Sequence, residues 1–182
     1  MQKPLRNSAY IDAANLHHGI HAQGWTLDYR RFRTWLTAKH GVNNAYLFIG
    51  LLPANAALYT CLQNCGYILV FKEVVYNSDG KAKGNCDADL VLQSVVDFFE
   101  HKYERAIIVS SDGDYACLVK FLQGHQALKM VVSPSIQNRC SILLKRTQAP
   151  ITYLNDPRLK NLLSAKNKEA PDADGTARGS SL

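Results

Sequence analysis

The sequence lacks the long apolar runs and paired cysteines that mark several classes of protein. None of its hydrophobic stretches approaches the roughly 18 residues that a membrane-spanning helix needs, and the N-terminal MQKPLRNSAYIDAANL has no apolar signal core. We therefore expect neither a membrane-spanning nor a secreted protein, and we predict a cytoplasmic location. The five cysteines are an odd number and form no CxxC pair, which speaks against a zinc knuckle and favours reduced structural thiols.

Acidic residues are few relative to basic ones. The 182 residues include 21 Lys and Arg against 15 Asp and Glu, a formal net charge of +6. From Ser164 onward three basic residues balance three acidic ones, so the excess positive charge belongs to the preceding part of the chain. A basic body attracts polyanions, of which nucleic acid is the commonest in a cytoplasm.

What the sequence does contain is an alternation of short apolar segments with longer helical patterns. We predict strands at Ala9–Asp12, Ala45–Gly50, Tyr67–Phe71, Ala106–Ser110, Leu128–Ser133 and Ile151–Leu154. We predict helices at Asp28–His40, Asn55–Asn64, Ala88–His101, Tyr115–Gln123 and Ile136–Arg146. Strands separated by helices indicate βαβ units. The expected fold class is α/β, a single Rossmann-like domain with a mainly parallel sheet and helices on both faces.

Two segments fall outside this alternation. Asn77–Cys86 (NSDGKAKGNC) is rich in glycine, asparagine and lysine, which predicts a flexible loop inside the domain. Beyond residue 163 the chain loses its periodicity and most of its apolar residues, as disordered tails do. We therefore expect one folded domain over residues 1–163 and a disordered tail over residues 164–182.

Aspartates stand where the predicted strands end or the following helices begin. Asp12 ends the first strand, Asp112 follows the fourth, and Asp114 opens the next helix. Asp87 and Asp89 lie at the start of the helix after the loop. Ligands of open parallel sheets bind beyond the carboxyl ends of the strands, where the strand order reverses. If the first and fourth strands are neighbours there, Asp12 and Asp112 face one crevice, and the helix start adds Asp87.

A single aspartate at such a position has a plainer explanation, because its carboxylate often caps a helix. We expect capping for Asp87 and Asp114 taken singly, and an interaction with the helix dipole for Asp89. Four acids that converge on one crevice, however, would repel one another without a cation. Oxygen donors with no matching His or Cys suit Mg²⁺ or Mn²⁺. Gly113, between Asp112 and Asp114, would let the backbone turn tightly and leave room for substrate.

Four motifs occur in a fixed order along the chain. They are YIDAAN (Tyr10–Asn15), KGNCDADLVL (Lys83–Leu92), SSDGDYACLVKFL (Ser110–Leu122) and the later VVSPSIQNRCSILLKRTQAPITYLND. Together they resemble the NYN-domain family, a branch of the PIN-like nucleases, over roughly residues 7 to 156. The resemblance implies a Rossmann-like sheet and metal-dependent cleavage of RNA with water as the nucleophile.

The resemblance also implies roles for individual residues. The catalytic acids and ligands of Mg²⁺ or Mn²⁺ would be Asp12, Asp87, Asp112 and Asp114. Asn15 would orient ligand or substrate, and Asp89 would support the site. Ser110 and Ser133 match small polar residues that follow the fourth and fifth strands, and they would bind substrate.

Three kinds of basic side chain near these motifs have two readings each. Lys81 and Lys83 flank glycines in the loop, and they either belong to a solvated loop or hold the RNA backbone. Arg139 either lies on a solvated helix face or reaches the crevice. His17, His18 and His21 either contribute to a zinc site, for which no nearby Cys or acid completes a tetrahedral set, or else His17 or His18 lines a substrate groove after Asn15.

Three functions compete for this sequence. The first is a metal-dependent ribonuclease that hydrolyses RNA by metal-activated water. The second is a non-catalytic RNA- or protein-binding module on the same fold, but all four acid positions are filled, which favours catalysis. The third is a phosphatase with an aspartyl nucleophile, which would need a second aspartate where Ala14 stands. An exposed apolar helix face would also allow a homodimer.

Overall fold

A parallel sheet with helices on both faces forms the centre of the fold. The computed structural model describes residues 6–73, 75–76, 82–83 and 86–165. The strands in this part of the chain are β1 (Asn7–Asp12), β2 (Val42–Leu51), β3 (Ile68–Glu73), β4 (Val75–Tyr76), β5 (Ala82–Lys83), β6 (Ala106–Val109), β7 (Leu128–Ser133) and β8 (Ile151–Tyr153). The α-helices are α1 (Ala13–His21), α2 (Tyr29–His40), α3 (Ala56–Asn64), α4 (Asp87–Phe99), α5 (Ala116–Gly124), α6 (Ile142–Arg146) and α7 (Pro157–Leu163). Single turns of 3₁₀ helix precede α3 and α5, at Pro53–Asn55 and Gly113–Tyr115.

The order of the six strands in the sheet is β3-β2-β1-β6-β7-β8, and all neighbours are parallel. From β1 the chain moves outward to β2 and β3, then crosses to the other side of β1 and moves outward again from β6. The strand order therefore reverses between β1 and β6, which pair directly, with Tyr10 opposite Ile108. The α/β fold class is confirmed, and so is the adjacency of the first and fourth predicted strands.

Alternation along the strands divides the core into two apolar layers. On β1, which is buried throughout, Ala9 and Ile11 belong to one layer and Tyr10 to the other. The helices contribute Leu16, Phe32 and Leu58 to the first layer and Leu90, Leu118 and Leu144 to the second. Within the described chain, none of the helices combines the length and the apolar character that crossing a bilayer requires.

The structure adds two helices to the predicted set and shortens another. The helix α1 follows β1 without a loop, because Asp12 ends the strand and its side chain caps the helix. The helix α7 follows Asp156, which caps it in the same way. The predicted helix Ile136–Arg146 is wrong over its first part, which forms a turn closed by the bond from Cys140 N–H to the carbonyl of Ile136. The helix begins only after Ser141, whose hydroxyl caps it.

The predicted flexible loop Asn77–Cys86 lies largely outside the described residues. Its Ala82–Lys83 segment is a short strand, β5, that pairs antiparallel with β4. Lys81 lies outside the described residues, and so does the side chain of Lys83. The expected contact of these lysines with RNA therefore stays a prediction.

The C-terminal end of the described chain pairs with the segment before α2. Ser164 forms a β-bridge with Leu27, and the N–H of Ala165 donates to the carbonyl oxygen of Thr26 at 3.0 Å. These first two residues of the predicted tail thus pack on the domain. The rest of the predicted tail, residues 166–182, lies outside the described part of the chain.

Candidate functional site

The candidate site lies beyond the carboxyl ends of β1 and β6, where the strand order reverses. Asp12 is the last residue of β1, and Asp112 comes shortly after the end of β6. Asp114 lies in the 3₁₀ turn that follows, and Asp87 is the first residue of α4. The parallel sheet thus brings together acids that are far apart in the sequence.

Three of these carboxylates form a compact cluster. Asp87, Asp112 and Asp114 each offer one carboxylate oxygen, and these oxygens all lie within 4.8 Å of one another. Asp87 and Asp112 are half-buried, whereas Asp114 is exposed. Like charges this close repel one another, and a bound cation removes the repulsion. The donor set consists of carboxylate oxygens alone, which is the set that hard cations such as Mg²⁺ and Mn²⁺ prefer.

Asp12 lies beside this cluster and is linked to it by a tyrosine. Asp12 is only 9% exposed. Its Oδ1 accepts the N–H of Asn15 at 3.0 Å, and its Oδ2 accepts the hydroxyl of Tyr115 at 3.2 Å. The same hydroxyl also contacts Oδ1 of Asp87. Burial raises the pKa of Asp12; the Asn15 N–H partly offsets this rise, and the charges of Asp87 and Asp112 add to it.

The Tyr115 hydroxyl has one hydrogen for two carboxylates. Tyr115 is fully buried, and burial together with the charges of Asp12 and Asp87 raises its pKa, so the phenol stays protonated and acts as a donor. A phenol donates one hydrogen bond, so the second carboxylate faces an oxygen lone pair. A cation or a proton has to balance that contact. Sequence reasoning missed Tyr115, although an aromatic residue directly after the last acid was a visible signal.

Two of the acids also cap helices, but not the two that the sequence indicated. Asp12 caps α1, and Oδ1 of Asp112 accepts the N–H of Asp114 at 3.1 Å and caps the 3₁₀ turn. Asp87 and Asp114 lie inside the first turns instead, and the N-cap position of α4 is Cys86. The capping expected for Asp87 and Asp114 is therefore wrong. The cap at Asp112 uses one carboxylate oxygen, which leaves the carboxylate able to bind a cation as well.

The loops after β6 and β7 are joined by a ring of hydrogen bonds. The N–H of Ser135 donates to Oγ of Ser111 at 3.1 Å, the hydroxyls of Ser111 and Ser133 are 3.0 Å apart, and Ser133 donates to the carbonyl of Ser135 at 2.9 Å. Because the Ser133 hydroxyl donates its hydrogen to the carbonyl of Ser135, Ser111 is the donor between the two hydroxyls. Ser110, which like Ser133 is fully buried, accepts the N–H of Asp112 at 3.1 Å. These contacts fix the segment that carries Asp112.

Asn15 connects this segment to the end of β1. Its backbone N–H donates to Asp12, and its side-chain Oδ1 accepts the N–H of Ser111 at 2.8 Å. Asn15 therefore lies next to the acids, where the first motif implied a polar residue. Ser111 was not identified from the sequence, because nothing local shows that its hydroxyl meets Ser133 of the next loop.

A buried acid fixes the helix that carries Asp87. Asp97 of α4 is fully buried and accepts three hydrogen bonds, from the hydroxyl of Tyr10 at 2.8 Å, from Nε2 of Gln93 at 2.8 Å and from Nζ of Lys102 at 3.0 Å. Since Tyr10 belongs to β1, this contact sets the position of α4 relative to the central strand. Nothing in the local sequence indicated this role for Asp97.

The remaining residues at the start of α4 have other partners. Asp89, expected to support the site, forms an ion pair with Lys72, with Oδ2 and Nζ 2.9 Å apart. Burial raises the pKa of Cys86 to about 11, and the neighbouring charges of Asp12, Asp89 and Asp87 add to the rise. The Cys86 thiol is therefore protonated at neutral pH, and the clustered ligand atoms are carboxylate oxygens.

Comparison with known proteins identifies a family and a similar fold. Residues 7–147 match the NYN domain family. A crystal structure of a protein of unknown function from Vibrio parahaemolyticus is similar in fold, with a TM-score of 0.71 and 21% sequence identity, covering 91% of this chain and 100% of that one. No curated protein matches the sequence. The chain belongs to the NYN domain family, within the PIN-like nuclease superfamily, as its motifs indicated.

Proposed function

We propose that this member of the NYN family is a metal-dependent ribonuclease that hydrolyses RNA phosphodiester bonds. The observation that carries the proposal is the cluster of Asp87, Asp112 and Asp114 at the point where the strand order reverses. Family membership supports it, because NYN domains generally act on RNA and depend on divalent metal ions. The net charge of +6 supports a polyanionic substrate.

The four acids fall into two groups in this proposal. Asp87, Asp112 and Asp114 hold Mg²⁺ or Mn²⁺, and Asp12 is a fourth acid whose carboxylate is positioned by Asn15 and Tyr115. A divalent cation in such a site lowers the pKa of a bound water and offsets the charge that develops on a phosphate. The three ligands come from α4 and from the segment after β6, so the hydrogen bonds that fix these two elements also fix the ligand set.

Water is the nucleophile in this proposal, and the serines hold the site in place. The hydroxyls of Ser110, Ser111 and Ser133 are buried, and all three take part in the hydrogen bonds that fix the loops after β6 and β7. A serine nucleophile needs an accessible hydroxyl beside a base. We therefore assign Ser110 and Ser133 to positioning the acids, and Lys83 to the phosphate backbone of the substrate.

The test is cleavage of end-labelled single-stranded RNA with Mn²⁺, with Mg²⁺ and with chelator. The active-site variant is Asp112→Asn, and its matched control is Asp156→Asn, which makes the same change of charge at the exposed cap of α7. Asparagine caps a helix about as well as aspartate, so the control keeps its fold. We expect metal-dependent cleavage that Asp112→Asn loses and Asp156→Asn keeps. With the 3′-oxygen as the leaving group the products should carry 5′-phosphates, and no 2′,3′-cyclic phosphate should form, since water rather than the RNA 2′-hydroxyl attacks.

Each other outcome has a defined meaning. Cleavage that persists in chelator or survives Asp112→Asn would point to a contaminating nuclease and refute the assignment of the acids. Products with 2′,3′-cyclic phosphates would refute water as the nucleophile. Binding of RNA without cleavage by the wild-type protein would refute the nuclease and favour the non-catalytic RNA-binding module on the same fold.

A further inference from the structure

A cleft with a volume of about 420 Å³ opens between α1 and the loop after β7. Small and apolar residues line part of it, among them Gly19, Ala22 and Ile136. Two exposed side chains with flat polar groups, His18 and Arg139, line the rest together with other polar residues. The size falls within the range of small-ligand sites, roughly 300–1,000 Å³.

The cleft shares a wall with the acidic site. Asn15 and Ser135 line the cleft, and both bind Ser111, the residue before Asp112. Oδ1 of Asn15 accepts the N–H of Ser111 at 2.8 Å, and the N–H of Ser135 donates to Oγ of Ser111 at 3.1 Å. A ligand in the cleft would therefore be a direct neighbour of a group bound at the acids.

Specific contacts hold the two sides of the cleft together. Nε2 of Gln23, on the α1 side, donates to the carbonyl of Gly19 at 2.7 Å and to the carbonyl of Pro134 at 2.5 Å. A Cβ at Gly19 would lie 2.9 Å from Cβ of Pro134, closer than such atoms approach. The helix therefore sits against the loop at a distance that only glycine permits, and the cleft beside this contact has a fixed width.

We propose that this cleft binds one unpaired nucleotide of the RNA strand, next to the scissile phosphate. The proposal rests on the ribonuclease function and adds to it a subsite that accepts one nucleotide beside the acids. His18 stacks on the base and the Arg139 guanidinium binds the adjoining phosphate, in the way that aromatic and arginine side chains bind unstacked nucleotides. A base within a duplex is stacked and paired, so it cannot enter a concave site of this size.

The test uses one variant that fills the cleft and one that removes a positive charge from it. Ala22→Trp fills it from an exposed position at the end of α1, and its control is Ala38→Trp, the same change on an exposed position of α2. Arg139→Gln removes the charge, and its control is Arg158→Gln, on the exposed side of α7. The substrate is a short single-stranded RNA in which one abasic site is moved along the strand.

For the wild-type protein we expect one abasic position beside the cleavage point to lower kcat/KM by roughly 5- to 100-fold, the loss typical of one stacked base. Ala22→Trp should abolish this position dependence and weaken single-strand binding, and Arg139→Gln should weaken binding, whereas both controls should behave like wild type. Equal cleavage of duplex and single strands, or wild-type binding by Ala22→Trp, would overturn the proposal.

Failure of the ribonuclease function would be recognised separately. If the wild-type protein does not cleave, equilibrium binding of the fluorescently labelled single strand still tests the cleft. Weaker binding by Ala22→Trp and Arg139→Gln than by their controls would then support the subsite without catalysis. Equal binding by all variants, or no binding by the wild-type protein, would refute the subsite.

Discussion

Gly113, between two acids of the cluster, is packed so closely that the structure leaves no space for a larger side chain there. A Cβ added to Gly113 would overlap Oγ of Ser141 and would lie 3.1 Å from Cδ1 of Leu143. Ser141 cannot easily move aside, because its N–H donates to the carbonyl of Ser111 at 3.0 Å and its hydroxyl accepts the N–H of Leu143 at 3.2 Å. The space beside Gly113 is thus occupied by the start of α6, where the sequence had suggested room for substrate.

We expect Gly113→Ala to destabilise the protein by about 1–3 kcal/mol, the usual cost of overpacking a well-ordered contact. For a domain of this size, such a loss lowers Tm by roughly 2–12 °C. Thermal and urea unfolding measure the change in the free energy of unfolding. The control is Gly124→Ala, at the end of α5, where an added Cβ meets nothing within 4 Å. That variant should be as stable as wild type or slightly more so.

A double-mutant cycle tests the cause. Ser141→Ala removes the overlapping oxygen. The double variant Gly113→Ala/Ser141→Ala should therefore lose less free energy of unfolding than the two single variants lose in total. Additive losses would show that the Ser141 contact does not explain the effect. If Gly113→Ala unfolds like wild type but loses RNA cleavage, the glycine makes room for substrate and the packing argument is refuted.

Three further predictions follow from the acids and their partners. Saturating Mn²⁺, at about 100 times its Kd, should raise Tm by roughly 5–10 °C. The Asp112→Asn variant should lose this rise, whereas Asp156→Asn should keep it. An equal rise in both variants would exclude the cluster as the metal site. Tyr115→Phe should cost about 1–3 kcal/mol in urea unfolding and weaken metal binding in calorimetric titration, because two carboxylates lose their shared donor; unchanged values in both assays would contradict this. Asp97→Asn should lower the free energy of unfolding by about 1–3 kcal/mol, because three donors lose a charged acceptor. The kcat of the folded variant should stay unchanged. A lower kcat would show that Asp97 does more than fix the position of α4.

The fold could be predicted from the sequence because its signals are local and repeated. Apolar strands such as Leu128–Ser133 alternate with amphipathic helices, and this alternation is sufficient to indicate a parallel sheet. The helix α1 was missed because Asp12 ends β1 and caps the helix in a single step, so no turn residue separates the two elements. The helix Ile136–Arg146 was extended too far because its apolar spacing does not reveal that Ser141 starts a new turn.

The site was predictable only in part, for a related reason. The positions of Asp12 and Asp112 follow from strand ends, which the sequence shows. The roles of Tyr115 and Ser111 depend on neighbours that only the folded sheet supplies, namely the carboxylates on either side of one hydroxyl and the serines of the next loop. Local patterns carry no information about such contacts, because the partners are distant along the chain.

The central pairing of β1 with β6 also determines when the acid cluster can form during synthesis. During synthesis the ribosome releases β1, β2, β3 and α4 first, so a partial chain holds Asp12 and Asp87 but neither Asp112 nor Asp114. The acid cluster is completed only when β6 pairs with β1, and this contact cannot form before β6 has been synthesised. If the protein is the ribonuclease that we propose, a nascent chain surrounded by ribosomal and messenger RNA would stay inactive until β6 has paired with β1.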